Sequence, residues 1–185
     1  VVVVDYDVLV GGLDCVLPDF VGGMNQAAGY LTTHYQNIGL IAGLELTTDG
    51  QRVRDVREKT FLNALKDCER YNPKLVKVEN YTVDGGYKAM KELLAGPESL
   101  DAVMVTNDAM AVGALRALHE AHVVIPDQIA LVSFNDIESV TCNLYPALSA
   151  VHVATDQMAS VAIELLGRRL ADSELAPQRV VVGTR

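Results

Sequence analysis

The sequence predicts an α/β fold of Rossmann-type parallel sheets with flanking helices, on three observations. Short apolar runs rich in Val, Ile and Leu, bounded by Gly, Asp, Asn or Pro, recur along the chain, as buried parallel strands do. Longer stretches with helical period separate them, so strand and helix alternate and right-handed crossovers follow. Half of the 185 residues are hydrophobic and 21% are charged, enough apolar surface for a sizeable core.

In chain order, the strand segments are the VVVV of residues 1–4, CVLPD at 15–19, IGLIAG at 38–43, LVKVENY at 75–81, AVMVT at 102–106, IALVSF at 129–134, SAVHV at 149–153 and VVV at 180–182. Helices are expected at 23–35, 51–69, 85–95, 109–121 and 157–170. The second carries an apolar stripe at Val53, Val56, Phe61, Ala64, Leu65 and Cys68, in the i, i+3, i+4 rhythm. The fourth points Ala111, Ala114, Leu115 and Leu118 inward, with Asp108 as its N-cap.

Composition excludes several functions. The formal net charge is -9, and no basic cluster is denser than Arg52, Arg54 and Arg57, so these residues are not expected to grip a phosphate backbone. No apolar run approaches the roughly 18 residues a membrane span needs. The three cysteines, Cys15, Cys68 and Cys142, lack metal or redox spacing and suit packed, reduced thiols in a cytosol. No GxGxxG, GxxxxGK[ST] or GxSxG motif is present, so no cofactor is expected. His119 and His122 stand near a helix C-terminus, where solvated histidines outnumber metal ligands. The chain opens on Val rather than Met and is expected to be part of a longer protein.

Polar residues gather at strand ends. Asn107 follows the strand 102–106, at the carboxyl edge where doubly wound sheets place ligands. Its amide suits a neutral, hydroxyl-bearing ligand; the alternative is a turn Asn that bonds only backbone. Asn135 and Asp136 follow the strand 129–134 in the same way. Tyr81 ends the strand 75–81 and offers either a face for a sugar ring or ordinary strand packing. Arg57 lies on the apolar stripe of the second helix, four residues after Val53 and four before Phe61. Its guanidinium must meet carboxylates, carbonyls or a polar ligand, or else snorkel to solvent.

These residues carry a family resemblance. DAVMVTNDAMAVGALRALHEAHVVIPDQIALVSFNDIES over 101–139, with PALSAVHVA over 146–154, resembles the effector-binding domain of the lactose repressor/galactose repressor family of bacterial transcription regulators. The match extends upstream through the G-Y after Tyr81, R-x-x-T-F-x-x-A-L from Arg57, and IGLIAG at 38–43.

The resemblance implies a periplasmic-binding-protein-like fold, with one near-complete lobe and part of a second. Residues 1–36 and 150–171 would form the partial N-terminal lobe, and 37–149 the C-terminal lobe, to which 172–185 would return. It implies ligand-binding roles for Arg57, Tyr81, Asn107, Asn135 and Asp136. It departs from the family's Asp-Asp pair at Asn135, and Val153 stands where some sugar-responsive members carry Gln, which is more similar to the evolved beta-galactosidase repressor branch. The implied partners are a small effector, usually a sugar, a second copy in a homodimer, and operator DNA through an N-terminal helix-turn-helix absent from this chain. The resemblance implies no membrane partner and a cytoplasmic location. A periplasmic sugar-binding protein of a transporter is the alternative; an enzyme would have to use Asp136 or Glu138.

Overall fold

The computed structural model describes residues 1–5, 13–46, 49–137 and 141–185; Glu138, part of the enzyme alternative, lies outside them. The chain divides into two compact units, one of Val1–Gly23 with Val153–Arg185 and one of Met24–His152.

The larger unit is an α/β layer structure. Its strands β3 (Ile38–Gly43), β6 (Val76–Glu79), β7 (Ala102–Val105), β8 (Ala130–Phe134) and β9 (Ser149–Val151) form one sheet, in the order β6-β3-β7-β8-β9, with every pair parallel. β3, β7 and β8 are buried along their whole length, whereas β6, at an edge, is half-buried. The helices α2 (Val56–Asp67), α3 (Val83–Ala95) and α4 (Asp108–Glu120) connect the strands. On one face Ile41, Val103, Val105 and Leu131 pack with Met90, Leu93, Met110, Ala114 and Leu118 of α3 and α4. Strand alternation turns the buried Leu40, Ala42 and Met104 to the other face.

The smaller unit contains β1 (Val2–Val4), β2 (Asp14–Pro18) and β10 (Arg179–Val182), parallel in the order β1-β2-β10, with the helix α5 (Thr155–Ala171) packed against β1 and β2. The buried Asp14 accepts bonds from Arg169 of α5 and from the backbone N–H of Gln178 ahead of β10. Helix α1 (Phe20–His34) begins in this unit and continues in the larger one.

Four expectations are corrected. Residues 172–185 do not return to the five-stranded sheet, because Arg179–Val182 pairs with β2. The helix expected over 51–69 starts only at Val56: Asp55 caps it by accepting from the Arg57 N–H, while Arg52–Val53 forms β5, antiparallel to β4 (Glu45–Leu46). Val53, 36% exposed, therefore belongs to no buried stripe, and Cys68 is the exposed C-cap. The N-cap of α4 is Asn107, not Asp108, since the Asn107 side chain accepts from the N–H groups of Ala109 and Met110.

Candidate functional site

The strand order places a reversal of winding beside β3. The chain leaves β3 for β6 on one side, then crosses to β7 on the other. Between the carboxyl ends of β3 and β7 the crossovers part, the position at which doubly wound sheets take their ligands. The two ends are stitched together by the Gly43 N–H, which donates to Thr106 Oγ1 at 3.1 Å.

Arg57 is the hub of this edge. At the second position of α2, its guanidinium reaches back over the strand ends. Its Nε and Nη2 donate to Oδ1 and Oδ2 of Asp55 at 2.9 and 2.8 Å, the two-pronged geometry that suits guanidinium and carboxylate. Nη1 donates to the backbone carbonyl of Thr106 at 2.9 Å, and Nη2 also to Tyr81 Oη at 3.2 Å. The guanidinium carbon lies 5.6 Å from the Tyr81 ring centre and 5.7 Å from that of Phe134, within cation–π range. Its side chain is 13% exposed and that of Asp55 10%. The pair thus meets the cost of burying a charge by satisfying it several times over.

These contacts set the electrostatics. Burial pushes the Asp55 carboxyl up, but the hydrogen bonds and charge of Arg57 outweigh it and hold the group below its usual value. Tyr81 is pushed up to about 12, chiefly by burial, so its hydroxyl stays protonated. Its ring lies on bare backbone: a Cβ on Gly43 would come within 1.9 Å of Tyr81 Cζ, so only glycine fits beneath it. The start of α2 is pinned from the hairpin as well, because the buried Glu58 takes Arg52 at 2.6 Å and Arg54 at 3.5 Å.

Asn107 stands at the end of β7, with its Oδ1 committed to capping α4. Its Nδ2 makes no hydrogen bond among the described residues, so its two donors remain. Asn135 follows β8 with φ 69°, in the left-handed region that Asn tolerates better than most residues. Asp136 faces His152, whose Nδ1 lies 2.8 Å from both carboxylate oxygens, just beyond β9.

The fold therefore joins Arg57 directly to Tyr81, and to the strand ends beside Asn107 and Asn135 through Thr106 and Phe134. No hydrogen bond links Arg57 to Asn107, Asn135 or Asp136 among the described residues; Asp136 engages His152 instead. Asp55, Thr106, Phe134 and His152 escaped the sequence reasoning. For Asp55 a signal existed in D-x-R at a helix start, since Asp is a favoured N-cap. Among the described residues, no group of three or more His, Cys, Asp or Glu side chains could hold a metal ion.

Comparison with known proteins sets these features in context. Residues 29–185 match the family model of the periplasmic binding protein-like domain. The chain is 35% identical to the HTH-type transcriptional regulator GalR of Lacticaseibacillus casei, over 97% of its own length and 55% of that protein's. With GalR of Streptococcus thermophilus the identity is 34%, over 100% of the chain and 56% of the relative. The chain thus spans about half the length of these curated relatives. Among solved structures, a LacI-family transcriptional regulator from Sanguibacter keddieii DSM 10542 superposes with a TM-score of 0.87 at 26% identity, covering 100% of the chain and 68% of the other. The transcriptional regulator CelR in complex with cellobiose does so with a TM-score of 0.82 at 28% identity, over 100% and 56%.

Proposed function

The chain belongs to the lactose repressor/galactose repressor family of transcription regulators through its periplasmic binding protein-like domain, and from this we propose that it is the part of a bacterial regulator that senses a small sugar. In this reading the Met24–His152 unit is the C-terminal lobe, and the Val1–Gly23 and Val153–Arg185 unit is part of the N-terminal lobe. Arg57, Tyr81, Asn107, Asn135 and Asp136 contact the effector. The observation that carries the reading is the guanidinium of Arg57, fixed by Asp55, Tyr81 and the Thr106 carbonyl where the crossovers part.

The chemistry of the edge suits a polyol. Tyr81 supplies an aromatic face, Asn107 two amide donors and Asp136 a carboxylate, a mixture that receives hydroxyl groups as donors and acceptors. The cellobiose complex of the 28% identical regulator supports a sugar as the ligand. Ligand bound at this edge would favour one conformation of the regulator by its differential affinity, and so bias operator binding. Operator DNA is then read by a helix-turn-helix outside this chain, consistent with relatives named HTH-type and nearly twice its length. A homodimer, a cytoplasmic location and the absence of catalysis belong to the same reading. The transporter alternative has less support, because the relatives are regulators.

The test is calorimetric titration of the full-length protein with neutral mono- and disaccharides. Arg57→Lys keeps the charge beside Asp55 but loses the fork. It is expected to weaken sugar binding by about ten- to a hundredfold, the equivalent of a charged hydrogen bond, with the melting curve retained. Undiminished affinity would remove Arg57 from the site.

A further inference from the structure

Asp55 has no part in the family resemblance, yet among the described residues it makes three hydrogen bonds to Arg57. Its Oδ1 accepts from the Arg57 backbone N–H at 2.6 Å and from Nε at 2.9 Å, and its Oδ2 from Nη2 at 2.8 Å. A carboxylate thus already occupies the face of the guanidinium that would otherwise take a phosphate or an acid group. The geometry points to Asp55 as a specificity-determining residue, which neutralises Arg57 and restricts the site to uncharged, hydroxyl-rich ligands. This inference rests on the sugar-sensing reading of the site.

The physical reason is a contest between two anions for one fork. A phosphate ester reaching Arg57 must displace Asp55 or lie against it, and two anions at hydrogen-bond range beside largely buried side chains repel strongly. A neutral hydroxyl meets no such barrier. Among the described residues, the only further contact on Asp55 Oδ2, from Tyr81 Oη, is long at 3.5 Å, which leaves that oxygen able to accept a ligand O–H. Of the nearby positive charges, Arg52 pairs with Glu58 at 2.6 Å and Arg54 meets the same carboxylate at 3.5 Å.

The experiment titrates the full-length protein and its Asp55→Asn variant by calorimetry with glucose, galactose, ribose and cellobiose, and with glucose 6-phosphate, galactose 6-phosphate and ribose 5-phosphate. Asn preserves the helix cap through Oδ1 and removes the charge together with the second acceptor, which faces Arg57 Nη2; Asp55→Ser, which also caps, serves as a second variant, and melting curves check that both fold. The unaltered protein is expected to bind a neutral sugar at least tenfold tighter than its phosphate ester. In the variants that ratio is expected to fall at least tenfold, with the phosphate gaining affinity. If the unaltered protein prefers the ester, or the ratio is the same in the variants, Asp55 does not set specificity, while the sugar-sensing reading stands. If the unaltered protein binds neither class, the sugar-sensing reading falls and the inference with it.

Discussion

Asn107 performs two tasks that the sequence pattern divides between two residues. Its Oδ1 caps α4, and its Nδ2 remains for a ligand. Asp108 is left at the first helical position, buried, with Oδ1 on the Ala109 N–H and Oδ2 without a partner among the described residues. The local sequence does not separate the two arrangements, since Asn and Asp cap equally well. The choice depends on how far β7 continues before the helix begins. The two tasks can be separated by substitution. Asn107→Ser keeps a capping oxygen and withdraws the amide, so urea unfolding is expected to be nearly unchanged while calorimetric sugar affinity falls. Asn107→Ala is expected to lose both, at about 0.5–2 kcal/mol of stability. Arg57 shows a similar limit at the scale of one side chain. Its need for partners was legible, because a buried guanidinium cannot stay unpaired. That Asp55, two residues earlier, would meet it was open to reading from D-x-R at a helix start; that the Thr106 carbonyl would was not, because Thr106 is 49 residues away in sequence.

At the scale of elements, the position of α4, and with it of Asn107, depends on a backbone-to-backbone contact with α3. A Cβ on Gly113 would come within 1.8 Å of the Val83 carbonyl oxygen and 2.6 Å of the Tyr87 nitrogen. One on Gly86 would come within 1.9 Å of the Met110 carbonyl oxygen. Glycine inside a helix ordinarily costs up to about 1 kcal/mol relative to alanine, so Gly113→Ala would stabilise the protein if there were room. There is none, and rigid backbone cannot move aside as a flexible side chain does. Gly113→Ala is therefore expected to destabilise by about 1–3 kcal/mol, read as a lower urea midpoint. Exposed Gly29 of α1 meets nothing within 4 Å, and alanine there is expected to be neutral or stabilising. The inward set Ala111, Ala114, Leu115 and Leu118, expected from the period, is buried as expected. The helix expected over 51–69 is present but starts late, at Val56, because periodicity does not weigh capping: Asp55 fixes the start and frees Arg52–Val53 to pair with β4.

At the scale of the whole molecule, each unit contains a carboxylate paired with an arginine, Asp14 with Arg169 in one and Asp55 with Arg57 in the other. The Arg169 bond, against a smaller cost of burial, holds Asp14 below its usual value, and Asp55 is lowered too. A lowered folded value means that unfolding takes up protons. The stability these groups contribute is complete above the unfolded carboxylate value of about 3.9 and is lost as the pH falls through the folded values. Thermal unfolding followed by circular dichroism is expected to weaken below about pH 4. Asp14→Asn is expected to melt lower at pH 7 and to lose less on acidification. The sequence by itself determined the α/β class, the order of most strands and helices, and the polar residues at strand ends, because those follow from patterns within a dozen residues. Tertiary structure alone decided that Arg179–Val182 joins β2, that the winding reverses beside β3, and that Thr106, Tyr81 and Phe134 converge on Arg57. Those outcomes depend on which distant strands pair, and the hydrogen-bonding groups of parallel strands are alike, so the partner is selected only when the whole core packs.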